Sequence, residues 1–283
     1  MDQKFIDLFD RYTHGAMKRR EFLEKLTLLA GGTAAATALL PVLENNYALA
    51  GMVAEDDPAL RSGFQQIDTG VAGYLSVPLA DGAHPAVMVV HENRGLNPHI
   101  KDVTRRFAKE GFVAFAPDFL FGMGGTPDDS DKAREMIGQL KPQDIQAIGV
   151  RSVQAINKFP TNTKEKTGAV GFCWGGGVVN AMAVADPLLR ACVAYYGKQP
   201  PASEVPKITA PLLLQYAGLD ERTNAGIAGF EAALKANGKT YELYIYEGAN
   251  HAFNNDTNAA RYDKAAADLA WGRTIAFLKK YLG

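Results

Sequence analysis

Short apolar runs alternate with amphipathic stretches along most of this chain, which is typical of strands that alternate with helices. Predicted strands cover residues 71–78, 85–91, 112–118, 167–172, 191–196, 210–217 and 241–246. Predicted helices cover 98–111, 142–158, 178–185 and 223–236, and a long C-terminal helix begins near Ala259. The Gly-, Pro- and Asp-rich residues 122–131 predict a loop. The alternation predicts an α/β fold with a mainly parallel, doubly wound sheet flanked by helices.

One strand–helix junction carries a reactive side chain. The sequence Gly171-Phe172-Cys173-Trp174-Gly175 matches the G-x-nucleophile-x-G elbow of α/β-hydrolases, in which small residues let strand and helix approach closely. The nucleophile of such an elbow sits at a helix N-terminus, and the helix dipole there favours a thiolate. Cys173 is therefore the predicted nucleophile. Cys192 lies inside an apolar strand and is expected to be an inert, packed thiol.

Two further residues occupy the positions that such an elbow requires. In α/β-hydrolases the nucleophile is followed along the chain by an acid and then by a histidine. Asp220 follows the strand at 210–217, and His251 follows the strand at 241–246. Active sites in open α/β sheets form at the C-terminal ends of strands, so a Cys173–Asp220–His251 triad is predicted. Taken alone, Asp220 fits equally well as the cap of the helix that follows it.

Several separate segments resemble the dienelactone hydrolase family. The similarity spans about residues 70–283, and the Cys elbow with an upstream His-Glu pair is more specific than an elbow alone. The segments that carry it are Val89-Val90-His91-Glu92-Asn93-Arg94-Gly95-Leu96-Asn97, residues 112–118, residues 171–177, the Asp220 loop and His251-Ala252-Phe253.

The resemblance implies roles for residues around the thiol. The family's triad falls on Cys173, Asp220 and His251, and its additional glutamate falls on Glu92. In the family the resting thiol hydrogen-bonds this glutamate, which implies a gate that takes up the thiol proton when substrate binds. The hydrolase template also places oxyanion donors at the backbone N–H groups of Asn93 and Trp174.

The chain departs from the family at the substrate. Its best-known members bind a substrate carboxylate with two arginines, whereas the matching positions here lie near Phe121-Gly122 and at Asn255. Arg94 and Phe253 are therefore the expected substrate-binding residues, and Arg222 and Arg261 are further cations that can approach the site. The predicted substrate is a lactone or a small activated ester.

Composition excludes several other classes. With 283 residues, of which 47% are hydrophobic, the chain can bury a large core. A net charge of -1 and the lack of a basic stripe argue against a nucleic-acid surface. Two cysteines exclude a disulfide scaffold, no nucleotide-binding glycine motif opens a helix, and the five histidines show no metal-ligand spacing. We therefore expect no cofactor and no metal. The sequence does not indicate an oligomeric state.

Residues 1–50 differ from the catalytic domain expected over 51–283. Lys18-Arg19-Arg20-Glu21-Phe22-Leu23 resembles a twin-arginine export signal, an uncharged stretch covers 26–43, and Ala48-Leu49-Ala50 resembles a cleavage site. This pattern predicts a periplasmic protein. The alternative is a cytoplasmic protein with an uncleaved helical arm, because Phe5, Leu8 and Tyr12 have helical spacing. The apolar stretch is short and weak for a stable membrane anchor.

Two classes of function remain open at the level of sequence. A cysteine hydrolase would act through an acyl-thioester, and a thioesterase or peptidase with the same triad is a variant of it. A binding or redox-sensing protein would use the thiol without catalysis. The paired Asp220 and His251 favour the hydrolase, because a sensor needs no carboxylate to orient a histidine.

Overall fold

An eight-stranded sheet forms the centre of the molecule in this computed structural model, which describes residues 1–160 and 166–283. The strand order is β1-β2-β4-β3-β5-β6-β7-β8, with antiparallel β1–β2 and β2–β4 pairs and parallel pairs from β4 to β8. This is the mainly parallel, helix-flanked sheet that the alternating pattern predicts, and the α/β-hydrolase fold that the elbow and the family resemblance imply. The strands are β1 Leu60–Asp68, β2 Val71–Pro78, β3 Ala86–Val90, β4 Val113–Pro117, β5 Thr167–Phe172, β6 Leu189–Tyr195, β7 Leu212–Ala217 and β8 Tyr241–Tyr246.

Ten α-helices accompany this sheet in the described residues. Three precede it, and the others connect or flank its strands. They are α1 Gln3–Thr13, α2 Arg19–Ala30, α3 Thr33–Leu43, α4 Pro98–Lys109, α5 Ser130–Gln139, α6 Pro142–Asn157, α7 Trp174–Ala185, α8 Glu221–Asn224, α9 Ile227–Ala236 and α10 Lys264–Leu282.

Several elements differ from their sequence predictions, and a capping residue sets the boundary of two of them. Helix α10 begins at Lys264 rather than near Ala259, since the Asp263 side chain accepts from the Ala266 N–H. Helix α5 begins within the predicted loop, where Asp129 caps its first turn. Helix α7 begins immediately after Cys173, and the helix predicted over 223–236 is divided into α8 and α9. Strand β1 was not predicted, because it is a largely exposed edge strand without apolar alternation.

Side chains that alternate along the strands divide the main core into two layers. In β3, Val87 and Val89 belong to the layer formed with α4 and α10. Met88 and Val90 point to the opposite face and belong to the layer formed with α6, α7 and α9. All of β3 is buried, as expected of a strand covered on both faces. Burying each such side chain contributes about 1.5–3 kcal/mol, so these layers hold the elbow strand and its helix in place.

The N-terminal helices α1, α2 and α3 form a smaller apolar cluster of their own. Phe9, Tyr12, Phe22 and Leu26 are buried there, and the rings of Tyr12 and Phe22 stack 4.6 Å apart. Leu28, by contrast, is 82% exposed. Among the described residues, no single helix is long and apolar enough to cross a membrane; only the bent pair 19–30 and 33–49 reaches that length and composition together, with a bend of 116°.

Helix α7 lies so close to the sheet that neither Gly171 in β5 nor Gly175 in α7 has room for a side chain. A Cβ on Gly171 would lie 2.1 Å from the carbonyl oxygen of Gly175, and a Cβ on Gly175 would lie 2.4 Å from that of Val90. Both contacts are with backbone, which cannot rotate away. Gly177, two residues further along the helix, has its nearest neighbour at 3.5 Å.

We expect Gly175→Ala and Gly177→Ala to have opposite effects on stability. Overpacking against Val90 should lower the free energy of unfolding of Gly175→Ala by about 1–3 kcal/mol or more. Gly177→Ala should be neutral or slightly stabilising, because alanine is favoured over glycine in a helix by about 1 kcal/mol. Urea unfolding of the two variants measures this difference. Equal midpoints would show that the helix can move away from the sheet without cost.

Candidate active site

Cys173 occupies a strained position between β5 and α7. Its φ of 55° is unfavourable for a residue with a side chain, and its backbone is held by a 3.1 Å hydrogen bond from its N–H to the Tyr195 carbonyl. The other non-glycine residues of the described chain with positive φ are Tyr196 and Ala252, which flank the same site. Such strain persists only where the surroundings enforce it, and here it turns the thiol toward a cavity at the start of α7.

Asp220 and His251 meet beside the thiol, although they come from different strand ends. His251 Nδ1 lies 2.5 Å from Asp220 Oδ2, and both side chains are almost wholly buried. The other Asp220 oxygen accepts from the Thr223 N–H, so the residue is also a helix cap. The histidine Nε2 has no hydrogen-bond partner in the described structure. Asp220 thus orients the ring and leaves Nε2 free for chemistry.

A second histidine contacts the thiol, and sequence analysis missed it. His14, directly after α1, places its Nε2 3.4 Å from Cys173 Sγ. Its Nδ1 lies 2.8 Å from the Asp10 carbonyl oxygen and 3.1 Å from the Asp10 carboxylate. The His14 and His251 rings meet edge to face with centroids 4.6 Å apart. The thiol is therefore next to two imidazoles, each paired with its own aspartate.

These charges stabilise the ionised thiol. Burial disfavours the Cys173 thiolate, but the neighbouring His251 and His14 outweigh it and lower the thiol pKa to about 6. Burial also opposes charge on His251, yet the Cys173 thiolate and the Asp220 carboxylate raise its pKa to about 10. The same balance raises the pKa of His14, where Cys173 and Asp10 outweigh burial. At neutral pH the site favours a thiolate beside imidazolium. Cys192 differs, because burial raises its thiol pKa.

The two predicted oxyanion donors line the cavity with the thiol. Asn93 follows β3 and Trp174 is the first residue of α7, and neither backbone N–H donates to a described partner. Trp174 stacks on the buried ring of His91, with centroids 5.3 Å apart. Burial lowers the pKa of His91, which therefore serves as a neutral packing partner for Trp174.

Glu92 does not hold the thiol, contrary to the expectation from the family. Its Oε2 accepts a 2.9 Å hydrogen bond from the Asn255 amide, and the Asn255 carbonyl oxygen in turn accepts from Thr257. The described contact of the resting thiol is with His14 instead. The other Glu92 oxygen, Oε1, is buried and has no described hydrogen-bond partner.

A cavity of about 1260 Å³ opens onto the thiol, and both expected substrate-binding residues lie outside it. Phe253 is completely buried among Tyr195, Tyr196 and Tyr246, because its ring fills the core beneath the histidine loop. Arg94 borders another cavity, where Asp131 attracts its guanidinium to 3.5 Å. In this structure neither side chain borders the cavity at the thiol, and a part for either of them in substrate binding stays a prediction.

Two other arginines lie close to the histidines of the site. Arg222 lines the main cavity with its guanidinium 3.4 Å from His251 Nδ1, while the buried Arg261 lies 3.9 Å from Asp10. Residues of the N-terminal segment, including Thr13, His14 and Met17, form part of the wall.

The expectation of no metal relied on spacing along the chain. In the folded protein His14, Cys173 and His251 offer ligand atoms within 4.8 Å of one another, although they are far apart in sequence. A thiolate with two imidazoles is a donor set that zinc can use. The lack of a metal therefore stays a prediction, and assays of this site need a chelator.

Comparisons with known proteins agree with this fold. The model of the dienelactone hydrolase family matches residues 71–282, and a model described as YqhI-like matches residues 1–31. Protein usf of Aquifex pyrophilus is 34% identical over 77% of this chain and 97% of its own length. An Escherichia coli O157:H7 protein, provisionally assigned as a carboxymethylenebutenolidase, is 31% identical over 82% of this chain and 92% of its own.

A solved structure agrees as well. The crystal structure of a protein from Klebsiella pneumoniae, provisionally assigned as a dienelactone hydrolase, is 29% identical and superimposes with a TM-score of 0.70. The match covers 79% of this chain and all of that one.

We predict that alkylation of Cys173 by iodoacetamide rises with pH around a midpoint near 6, because only the thiolate reacts. In His251→Gln the midpoint should move up toward the value of about 8.5 for a free thiol, since one stabilising charge is lost. Mass spectrometry of peptides after timed labelling measures both midpoints. Cys192 in the same protein is the control and should stay unlabelled. A native midpoint close to that of a free thiol would contradict the charge arrangement.

Proposed function

The chain belongs to the dienelactone hydrolase family, and on this basis we propose that it hydrolyses a lactone or small activated ester through Cys173, His251 and Asp220. It is a carboxymethylenebutenolidase-like hydrolase, as its family and relatives indicate. One observation carries the mechanistic part. A thiol held at a strained helix N-terminus faces a histidine whose other nitrogen is bound by a buried carboxylate. That arrangement prepares a nucleophile and a base together.

In the first half of the reaction the Cys173 thiolate attacks the ester carbonyl carbon. A C–S bond forms, and the carbonyl oxygen becomes an oxyanion that the N–H groups of Asn93 and Trp174 stabilise. The Trp174 N–H lies at the first turn of α7, where the helix dipole also favours negative charge. The C–O bond to the alcohol then breaks, and an imidazolium protonates the departing oxygen. The product is an acyl-thioester on Cys173.

In the second half His251 activates water. The thiolate is the largest charge that raises the pKa of His251, and the acyl group removes that charge. His251 thus becomes a usable base near neutral pH only after the first half-reaction. It takes a proton from water, the oxygen bonds to the thioester carbon, and the C–S bond breaks to regenerate the thiolate. Asp220 holds the ring in place throughout.

Cys173 lines a cavity of about 1260 Å³, which has room for a lactone or a small ester. The wall is largely apolar near Val178 and Met182, and Lys198 and Arg222 supply positive charge. An acidic group on a lactone would meet these cations. The positions where other family members have arginine are used differently here, since Asn255 is buried against Glu92.

Cys173→Ala should lower ester hydrolysis by at least about 10³-fold, because no other group here can form the acyl intermediate. Cys173→Ser should also be poor, since a hydroxyl needs stronger base assistance than a thiol. A panel of small lactones and aryl esters, assayed with EDTA, measures the loss.

Cys192→Ala is the matched control, because this thiol is buried outside the cavity, and it should keep normal turnover. Near-normal activity of folded Cys173→Ala would exclude the proposed mechanism. Turnover of thioesters or peptides in preference to lactones would keep the triad and change the substrate class. A lack of turnover on the whole panel by alkylation-competent protein would favour thiol-based binding or sensing.

A further inference from the structure

We propose that the N-terminal segment supplies a second catalytic histidine, His14, which protonates the departing alcohol while His251 serves as the base for water. This inference rests on the proposed cysteine hydrolase mechanism. That mechanism needs an imidazolium to protonate the departing alcohol oxygen and does not choose between His14 and His251. The inference assigns this step to His14. It also gives residues 1–50 a role in the working enzyme.

The position of His14 is the first argument. Its Nε2 lies 3.4 Å from Cys173 Sγ, the atom that bonds to the substrate carbonyl carbon. The departing oxygen is attached to that same carbon, so it comes within reach of a proton on Nε2. His14 also lines the substrate cavity. His251 Nε2 has no described hydrogen-bond partner and is therefore available to a water molecule.

The partner of His14 is the second argument. Its Nδ1 lies 2.8 Å from the Asp10 backbone carbonyl oxygen, and this hydrogen bond fixes a proton on Nδ1. The Asp10 carboxylate lies 3.1 Å from the same nitrogen, and its negative charge favours the protonated ring, which is the state that a general acid needs. Arg222 and Arg261 lie 3.7 and 3.9 Å from the Asp10 carboxylate. A surface histidine would not have such support.

The third argument is that the catalytic domain is built to hold this segment. The Asn93 side chain donates a 2.8 Å hydrogen bond to the Thr13 carbonyl, and Arg134 donates to that of Tyr12. The Tyr12 hydroxyl donates to Asp131. These bonds hold Tyr12 and Thr13, the two residues before His14, and so fix the end of α1 over the thiol.

A second anchor lies farther along the segment. Asn258, which is completely buried, donates to the Leu43 carbonyl and the Asn45 side chain at 2.7 and 2.8 Å. The Asn46 N–H donates to the Thr257 carbonyl at 2.7 Å. Loss of the segment would leave the Asn258 amide without these acceptors.

The protons balance with two imidazoles. At the start the thiolate lies beside protonated His14 and protonated His251. As the C–S bond forms and the C–O bond breaks, His14 gives its proton to the alkoxide. Acylation removes the thiolate charge, and His251 then passes its proton to the neighbouring His14 ring. Neutral His251 takes a proton from water as hydroxide bonds to the acyl carbon and the C–S bond breaks, which restores the thiolate with both rings protonated.

The test compares two acetate esters whose leaving groups differ in basicity. In full-length His14→Gln, kcat/KM for phenyl acetate should fall by about 10²-fold, the range typical of general acid catalysis. For p-nitrophenyl acetate the loss should stay below about tenfold, because that weakly basic leaving group departs without a proton. Asp10→Asn should show the same selectivity with a smaller loss. Both assays contain EDTA, so that a metal bound at the cluster cannot account for the result.

The matched control is His84→Gln. His84 contacts only backbone carbonyls near Gly111 and lies outside the cavity, so both esters should be hydrolysed as by the native protein. Equal losses on the two esters, or no loss, in folded His14→Gln would overturn the acid role. Activity that persists in Cys173→Ala would overturn the underlying mechanism instead, so the two failures can be told apart.

The proposal also requires that His14 is present in the mature enzyme. Intact-mass measurement and N-terminal sequencing of protein isolated from its native host should find a chain that begins before Asp10. The export interpretation of Arg19 and Arg20 expects a start near Gly51 instead. A mature N-terminus at Gly51 would remove His14 and exclude its part in catalysis.

Discussion

The close contact between β5 and α7 is the constraint on which the rest of the site depends. Gly171 and Gly175 let the first turn of the helix rest directly on sheet backbone, and no side chain fits between them. The residue at the junction is then forced to a φ of 55°, and its side chain must leave the sheet toward the cavity. The same contact brings the Trp174 N–H and the helix dipole to the thiol. Nucleophile and oxyanion donor are thus placed by one packing requirement.

Burial disfavours a thiolate, and the fold offsets this cost by surrounding the thiolate with groups of alternating charge. The thiolate lies next to two imidazoles, and each imidazole lies next to an aspartate. Each charge offsets the free-energy cost of burying its neighbour, so all of these groups can be ionised inside the protein. Removing an inner charge would leave its neighbours unpaired. The site therefore behaves as one coupled unit, in which loss of the thiolate charge would lower the pKa of His251.

The sequence reveals the parts of this site that have local signals. Cys173, Asp220 and His251 each follow an apolar strand, so strand patterning and chain order were enough to find them. His14 has no such signal, because it lies 159 residues before the thiol and reaches it through packing of α1. Phe253 and Arg94 lie outside the cavity for a related reason. Proximity in sequence to the histidine or to the His-Glu pair does not determine which way a side chain turns.

The sequence pattern of the N-terminal segment likewise fits two different structures. Paired arginines and a mildly apolar run predict an export signal, yet the same residues can build a small core around Phe9 and Phe22. Asn93 links this N-terminal segment to the catalytic domain. Its backbone N–H is the proposed oxyanion donor, while its side chain binds the Thr13 carbonyl next to His14. A shift of the segment would therefore disturb the oxyanion site and the second histidine together. Substrate that enters the cavity meets a wall whose position is coupled to the groups that would stabilise its transition state.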